Sequence, residues 1–520
     1  MQARRGGIAL EDSHLVNDDT QPRLSGTDAE PQQAETGRAG SADLDAPGAA
    51  EWAELRALGH RMLDDLLRDL AHLREEPVWR PMPDDVRAAW AEPLPRQGTN
   101  FDSVYADYQT LIAPYATGNR HPRFMGWVQG GGTAVGMLAE LLAGGLNANL
   151  GGRDHAPIAC ERQVIRWAAE MLGFPPDASG ILVTGTSMAN LIAVLVARTW
   201  TVGAAVRREG LGARQLTAYA SVAAHGCVAR ALDMAGIGSD ALRLIATDAT
   251  GGIHLAALTD AIAADVTRGA TPFLVIGTAG SVDTGAIDDL TALARLCQRQ
   301  QLWFHVDAAY GAIALLSPAL RPLLAGIERA DSVAFDWHKW AQVPYDAGCI
   351  VVRDPVIHRA TFARPADYLR REERGLAGGD PWPCDFGPDL SRGFRALKVW
   401  MTIRAYGADR LGQVTEQCCA LARRLAARID REALLERVAP VTLNIVCFRF
   451  RPGDDRLQAD IAADLQEAGI AAPSTTVIDG RQVLRAAIVN HRTREADIDA
   501  LIDGVLAMGQ RRISGAGRSG

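Results

Sequence analysis

A regular alternation of short apolar runs with helical stretches over residues 180–352 sets the fold class of this chain. The apolar runs have the length of strands, and stretches such as Met188–Trp200 and Leu290–Arg299 between them have the apolar period of a helix. The seven predicted strands are Ile181–Thr184, Leu216–Ala220, Leu242–Ala246, Phe273–Gly277, Trp303–Val306, Ser332–Phe335 and Cys349–Val352. This order favours an α/β fold in which a mostly parallel, seven-stranded sheet is covered by helices on both faces.

The rest of the chain divides by pattern into four further parts. Residues 1–48 have no apolar period and predict a disordered tail, whereas residues 49–115 predict a helical segment whose first helix covers Trp52–Leu73. Prolines between 77 and 95 predict an extended connector within that segment. The sheet belongs to a large domain at 116–389, and a smaller α+β domain at 390–508 follows it, beginning with a helix over Phe394–Gly407. Residues 509–520 predict a frayed tail.

Composition excludes several classes of function. Of the 520 residues 48% are hydrophobic and 22% are charged, and the formal net charge is -8, so there is no basic footprint for nucleic acid or an anionic membrane. The sequence has neither an apolar run of about 18 residues nor a secretory signal. Its eight cysteines show no C-x-x-C spacing. These features predict a cytoplasmic protein with reduced thiols, no metal module and no membrane partner.

A lysine follows the predicted strand that ends at Phe335. Lys339 lies between Trp337 and Trp340 and next to His338, which is a poor setting for a solvated side chain. Desolvation and a neighbouring cation lower the pKa of an amine, and this makes it nucleophilic enough to form a Schiff base. The alternative is a lysine whose stem packs on the two tryptophans while its charge stays in water.

An aspartate ends another predicted strand. Asp307 follows the strand Trp303–Val306, where a carboxylate could hold a pyridinium nitrogen protonated, as an electron sink requires. The small residues Ala308 and Ala309 would allow a flat ring to approach. The alternative is an aspartate that caps the next helix.

Two further strand ends carry weaker signals. Thr186, Ser187 and Met188 lie between a strand and a helix, where hydroxyl groups and free backbone N–H groups suit a phosphate. His225 follows another strand and could stack on a flat cofactor ring. An ordinary helix cap and a structural histidine are the alternatives. Because ligands of open α/β sheets bind beyond the carboxyl ends of the strands, all four motifs predict one shared site.

The anion site, the histidine, the aspartate and the lysine occur in an order that resembles the group II pyridoxal-phosphate-dependent decarboxylases. This is the family of aromatic-L-amino-acid and glutamate decarboxylases, and the resemblance covers roughly residues 50–505. Its strongest part is the segment from His305 to Tyr310, followed by His338-Lys339-Trp340. The resemblance implies a fold-type I enzyme with pyridoxal 5'-phosphate as cofactor, and a homodimer with shared active sites. The implied reaction converts an L-amino acid to its amine and carbon dioxide.

The resemblance also implies roles for individual residues. Lys339 would form the Schiff base, Asp307 would pair with the ring nitrogen, and His225 and Ala309 would pack on opposite faces of the ring. The remaining cofactor contacts would come from Thr186, Ser187, Met188, Asp336 and His338. Hydroxyl groups in the turn 278–288 could also reach the cofactor. Tyr368 would protonate the substrate carbon after carbon dioxide leaves, whereas a phenylalanine there would indicate an oxidative aldehyde synthase.

The substrate is less firmly indicated. Trp127 is an aromatic residue in the stretch that resembles the family's substrate-binding segment, whereas Asn149 departs from the aromatic type and gives a more polar wall, expected from the partner subunit. Arg392 is expected to serve the site or the dimer interface. Trp127 and Tyr368 favour an aromatic L-amino acid. The alternatives are a polar or acidic amino acid such as glutamate, aspartate or diaminobutyrate, a different reaction on this fold (aldehyde synthesis or carbon–carbon lyase action), and a non-enzymatic scaffold.

Overall fold

The computed structural model describes residues 44–363 and 371–516, and these form two units, one ending at Ala57 and one beginning at Leu58. The described residues contain fifteen α-helices. They are α1 (Ala49–His72), α2 (Asp84–Ala89), α3 (Phe101–Asp107), α4 (Ala134–Leu146), α5 (Ala156–Leu172), α6 (Thr186–Val202), α7 (Val206–Glu209), α8 (Cys227–Met234), α9 (Leu255–Thr267), α10 (Leu290–Gln300), α11 (Pro355–Phe362), α12 (Arg395–Tyr406), α13 (Ala408–Ile429), α14 (Asp455–Glu467) and α15 (Glu495–Ala516).

The same residues contain twelve strands in two sheets. The strands are β1 (Phe124–Met125), β2 (Ser179–Val183), β3 (Leu216–Ser221), β4 (Leu242–Ile245), β5 (Thr271–Thr278), β6 (Trp303–Asp307), β7 (Ser332–Asp336), β8 (Gly348–Val352), β9 (Leu435–Arg437), β10 (Ile445–Phe450), β11 (Ala472–Ile478) and β12 (Arg481–Ala487). The first sheet has seven strands in the order β2-β8-β7-β6-β5-β3-β4, and only β8 runs antiparallel to its neighbours. The prediction of a mostly parallel seven-stranded sheet is confirmed, and each predicted strand is present.

The parallel strands bring the polar residues at their ends to one edge of this sheet. Strands β3, β6, β7 and β8 are buried along their whole length, as expected for a sheet that is covered on both faces. Thr278 is in register with Asp307, and Asp307 is in register with Ala334, two residues before Asp336. The carboxyl ends of β5, β6 and β7 therefore present their polar side chains side by side.

The second sheet has five strands in the order β1-β11-β12-β10-β9. Four of them lie in the predicted C-terminal α+β region, but β1 comes from residue 124 and pairs in parallel with β11. This pairing attaches the segment before Trp127 to the C-terminal sheet, and the Trp127 N–H donates to Ser474 Oγ at 3.3 Å. The local sequence around β1 or β11 does not indicate that the two strands pair, because they are more than 300 residues apart in the chain. The sequence analysis therefore did not predict this pairing. The domain boundaries at 116, 390 and 508 stay predictions.

Helix boundaries agree with the sequence at α1 and α12 and differ in two places. The proline-rich connector contains a short helix, α2, which has Asp84 and Asp85 in its first turn. The C-terminal helix α15 continues to Ala516, so the prediction of a frayed tail from residue 509 is wrong for 509–516. Arg512 forms ion pairs with Asp460 and Asp464 of α14, and these pairs hold the end of α15 in place. The local sequence pattern does not predict such contacts between distant residues.

In residues 44–363 and 371–516 no helix has both the length and the apolarity needed to cross a bilayer. Within the same residues no group of histidine, cysteine and acidic side chains has the arrangement of a metal site. All eight cysteines lie in the described part of the chain, and each is a free thiol.

Candidate active site

A cavity of about 410 Å³ lies at the carboxyl edge of the seven-stranded sheet. Most of the residues that the sequence singled out line this one cavity. They are Trp127, Thr186, Ser187, His225, Asp307, Ala309, Asp336, His338 and Lys339. The convergence follows from topology, because these residues follow β1, β2, β3, β6 and β7 in separate parts of the chain.

Lys339 is held by a buried carboxylate. Its Nζ lies 2.9 Å from Asp336 Oδ2, and the other oxygen of Asp336 accepts a hydrogen bond from the backbone N–H of Thr186 at 2.8 Å. His338 Nε2 lies 3.7 Å from the same carboxylate, and burial lowers the pKa of His338. Asp336 therefore fixes the lysine against the first turn of α6, so that the amine and the predicted anion site face one space.

The start of α6 depends on a close approach of two backbones. A Cβ atom on Gly348 of β8 would lie 2.4 Å from the Cα of Gly185, so glycine is needed for β8 to pass this turn. The Met188 N–H is engaged with the Gly185 carbonyl at 2.9 Å, so Ser187 offers the better placed amide for an anion. In the described structure the hydroxyls of Thr186 and Thr278 are buried without a hydrogen-bond partner, and both residues line the cavity. Buried unpaired hydroxyls at a cavity wall indicate donors reserved for a ligand.

Asp307 is the buried acid of the site. Burial raises its pKa, while hydrogen bonding from Asn190 and the charge of Lys339 act in the opposite direction. Its Oδ2 accepts a hydrogen bond from Asn190 Nδ2 at 2.8 Å, and its Oδ1 accepts one from the Ala309 N–H at 3.1 Å. A cationic group in the cavity would stabilise the carboxylate further.

His225 is an exposed residue on the loop between β3 and α8. Its Nδ1 accepts a hydrogen bond from the Cys227 N–H at 3.2 Å, so a neutral ring carries its proton on Nε2. Its ring lines the cavity together with Ala309. Both residues that the resemblance places on the faces of a flat ring are thus at the cavity wall.

A buried arginine that sequence reasoning missed lies beside Trp127. Arg485 of β12 donates from Nη1 to the Trp127 carbonyl and to Ser474 Oγ, each at 3.1 Å. Its Nη2 has no hydrogen-bond partner, and within residues 44–363 and 371–516 it forms no ion pair with a carboxylate. Burial lowers its pKa. An uncompensated buried cation is costly, so Arg485 is a candidate for binding an anionic group of a ligand.

Asn149 and Arg392 lie together, away from the cavity wall. Asn149 Oδ1 accepts from the Arg392 backbone N–H at 3.0 Å, while the Arg392 guanidinium binds Glu161 at 2.5 Å and the Leu150 and Leu182 carbonyls. Arg392 is only 4% exposed, so within this chain it ties the segment around residue 150 to α5 and β2. The substrate role of either residue stays a prediction, and Tyr368 lies outside the described residues.

Asn190 and Tyr345 also belong to the site and were not singled out by the sequence. Asn190 lies on α6 and reaches Asp307 across the sheet, and no sequence pattern links the two positions. The ring centroid of Tyr345 lies 4.2 Å from that of His338. Tyr345 lines the cofactor-sized cavity and also a larger cavity of about 770 Å³ between the N-terminal segment and the turn at Gly130–Gly132.

Comparison with known proteins gives consistent matches. The family model described as the pyridoxal-dependent decarboxylase conserved domain matches residues 83–451. An aromatic-L-amino-acid decarboxylase of Bacillus atrophaeus is 33% identical over 452 residues, which is 85% of this chain and 92% of that protein. The Oryza sativa TDC solved with PLP and tryptamine has a TM-score of 0.81 at 25% identity, covering 90% of this chain and 100% of its own. A Rhodiola rosea 4-hydroxyphenylacetaldehyde synthase has a TM-score of 0.78 at 25% identity, with coverages of 88% and 98%.

Proposed function

This chain belongs to the family of pyridoxal-dependent decarboxylases, and we propose that its substrate is an aromatic L-amino acid, which it converts to the amine and carbon dioxide. The observation that carries the proposal is the placement of Lys339 and Asp307 on one cavity, with the lysine amine held by Asp336. The match to an aromatic-L-amino-acid decarboxylase and the likeness to a TDC solved with tryptamine support the aromatic class.

The residues of the cavity fit pyridoxal phosphate. When bound, the cofactor withdraws electrons from the bonds at the substrate's Cα. Lys339 would hold it covalently and Asp307 would place a negative charge at its ring nitrogen. The unpaired hydroxyls of Thr186 and Thr278, together with the amide of Ser187, would supply hydrogen bonds to its oxygens. His225 and Ala309 would confine the ring, and Tyr368 would supply the proton to the substrate carbon.

Part of the cavity wall is apolar or aromatic. Trp127, Val128, Val282 and Tyr345 supply apolar or aromatic surface, and Gln129 adds one polar group. A concave site with an apolar wall and few polar groups suits a flat, largely apolar side chain. These residues support an aromatic substrate over an acidic one, because none of them is a cation that could pair with a second carboxylate.

Arg485 is proposed to bind the α-carboxylate of the substrate. Replacing it by methionine keeps the apolar stem and removes the charge, so KM for the amino acid is expected to rise about 30-fold or more, since loss of one partner of a buried charge pair costs at least about 2 kcal/mol. Steady-state kinetics would measure this, with Arg485→Lys expected to be intermediate. An unchanged KM in Arg485→Met, in an enzyme that binds the cofactor normally, would remove Arg485 from substrate binding.

A homodimer is proposed because α4 exposes a large apolar face. Leu141, Leu142 and Leu146 are 65%, 52% and 62% exposed, while Glu140 on the same helix is paired with the buried Lys398. Exposed apolar faces of this kind mark association surfaces. Met137 and Glu140 of the same helix line the larger cavity, whose wall also includes Tyr345, so a subunit packed on α4 would lie beside this cavity.

Leu142→Arg is expected to weaken this dimer about 100-fold, because a charge would be buried in an apolar interface, and to lower activity at low enzyme concentration. Light scattering across a dilution series would measure the proportions of monomer and dimer. Val266→Arg is the matched control, since Val266 is an exposed apolar residue on α9, 58% exposed, and should leave the dimer intact. A Leu142→Arg enzyme that dimerises like the control would place the interface elsewhere.

A cytoplasmic location is proposed from the eight free thiols, since disulfides are rare in reducing compartments.

The second candidate function is aldehyde synthesis, which the likeness to a Rhodiola rosea 4-hydroxyphenylacetaldehyde synthase favours. In that reaction the amino acid, oxygen and water give aldehyde, carbon dioxide, ammonia and hydrogen peroxide. The identity of residue 368 argues against it, because a tyrosine there would supply a proton to the substrate carbon, which a phenylalanine could not. Tyr368→Phe should therefore divert product from amine to aldehyde.

The proposed function is tested by incubating the holoenzyme with a pool of the common L-amino acids and identifying products by mass spectrometry. We expect loss of tryptophan, tyrosine or phenylalanine and formation of the matching amine, with Tyr368→Phe yielding the aldehyde and peroxide. Aldehyde from the unmodified enzyme would favour the second candidate. Consumption of glutamate or aspartate instead would overturn the aromatic assignment.

A further inference from the structure

Behind Asp307, on the side away from the cavity, lies a line of four hydrogen-bonded side chains. Asn190 Oδ1 lies 2.8 Å from His305 Nε2, and His305 Nδ1 lies 2.9 Å from Ser332 Oγ and 3.1 Å from the Ser332 backbone carbonyl. Ser332 Oγ in turn accepts a hydrogen bond from Trp303 Nε1 at 2.9 Å. All of these residues and Asp307 itself are buried, so the line has no contact with solvent.

The donors in this line can be assigned from one end. An indole N–H only donates, so Ser332 Oγ is an acceptor toward Trp303 and its own proton must go elsewhere. The remaining partner of that hydroxyl among the described residues is His305 Nδ1. Burial lowers the pKa of His305 to about 3, so the ring is neutral, and a neutral ring that accepts at Nδ1 donates from Nε2.

An ionised Asp307 requires the same direction. A carboxylate only accepts, so Asn190 would turn its amide nitrogen toward Asp307 and its oxygen toward His305. Reversing Asn190 would set its oxygen against the carboxylate and require a proton on Asp307. His305 Nδ1 would then donate to the Ser332 carbonyl, and the Ser332 hydroxyl, which already accepts from the Trp303 indole, would lose its acceptor among the described residues. The fixed indole N–H thus favours the arrangement in which every donor points toward Asp307.

We propose that Trp303, Ser332, His305 and Asn190 form a hydrogen-bond chain of fixed direction that keeps Asp307 ionised, and so keeps the proton on the ring nitrogen of the cofactor. They are positioning residues, because only Asp307 would touch the cofactor. The inference rests on the proposed role of Asp307 within the proposed function. The other ionisable groups that act on Asp307 are Lys339 and His225, and Cys227, whose thiol accepts a hydrogen bond from Asn190 Nδ2 at 3.2 Å.

The role of the hydrogen-bond chain is tested by measuring whether the ring nitrogen of the bound cofactor is protonated. Holoenzyme is prepared with pyridoxal phosphate labelled with ¹⁵N in the ring, and the ¹⁵N resonance is recorded by solid-state NMR. We expect a protonated resonance in the unmodified enzyme. Trp303→Phe and Ser332→Ala should shift it toward the unprotonated position, reflecting a change of about fivefold in the ratio of the two forms, because each removes a link of the chain. Ser332→Thr keeps the hydroxyl and should restore the original resonance.

Trp400→Phe is the matched control. Trp400 also donates its indole N–H to a side-chain oxygen, that of Gln163 at 2.8 Å, but far from the chain, so its loss should leave the resonance unchanged. If Trp303→Phe and Ser332→Ala keep the protonated resonance while Asp307→Asn loses it, the proposed role of the hydrogen-bond chain is overturned. The role of Asp307 then stands. If Asp307→Asn also keeps the resonance, the role of Asp307 in the proposed function fails. Because Trp303→Phe and Ser332→Ala each remove a different link of the hydrogen-bond chain, a folding defect in one of them leaves the other as the test.

Discussion

Lys339→Ala is expected to abolish decarboxylation, with a fall in kcat on the order of 10⁴-fold or more. The amine would be lost from a cavity in which it is held 2.9 Å from Asp336, and no other lysine could replace it. The protein should still fold, because Lys339 forms only this ion pair and its side chain is partly exposed. Product formation and the visible absorbance of the bound cofactor would both be measured, and both should be lost.

The composition of the chain makes this prediction unusually easy to check. The sequence contains only two lysines, Lys339 and Lys398. Lys398 is buried on α12 and paired with Glu140, so it is a built-in control. Reduction of the holoenzyme with borohydride, followed by peptide mapping, should place the cofactor on the Lys339 peptide alone. A label on the Lys398 peptide, or full activity in Lys339→Ala, would contradict the assignment.

The site was predictable where its chemistry coincides with the end of a strand. Asp307, Lys339 and His225 each follow an apolar run, and a parallel sheet brings such ends to one edge whatever the intervening loops do. The fold was predictable for the same reason, since strand and helix periods are local properties of the sequence. These parts of the molecule follow from local apolar patterns and from the rule that the carboxyl ends of parallel strands meet at one edge of the sheet.

The remainder depends on contacts between distant parts of the chain. Asn190 of helix α6 reaches Asp307 at the end of strand β6, and Arg485 reaches Trp127 from more than 350 residues away. For Arg392 the sequence suggested a role in the site or the dimer interface, but the structure shows an ion pair with Glu161 inside the protein. Which charged groups are already paired is decided by tertiary packing, and a sequence pattern cannot separate a paired arginine from a free one.

Asp307→Ala is expected to lower kcat by on the order of 10²–10⁴-fold while leaving cofactor on the enzyme. Breaking a buried ion pair by removing one partner costs about 3–5 kcal/mol, and this pair exists only with the ring nitrogen protonated. Without the carboxylate, the proton on the ring nitrogen would lose its stabilising partner, and the cofactor would supply a weaker electron sink. Single-turnover kinetics would locate the loss in the chemical step, with KM little changed.

Two substitutions separate charge from shape at this position. Asp307→Asn keeps the volume and the hydrogen bond to the Ala309 N–H but removes the charge, so it should be nearly as slow as alanine. Asp307→Glu keeps the charge and should recover part of the rate, limited by how well the longer side chain still meets Asn190. If Asp307→Asn were as active as the unmodified enzyme, the carboxylate would be a structural acceptor for Asn190 and Ala309, and charge at the ring nitrogen would not drive the reaction. The rank order of these three variants therefore decides whether Asp307 acts through its charge.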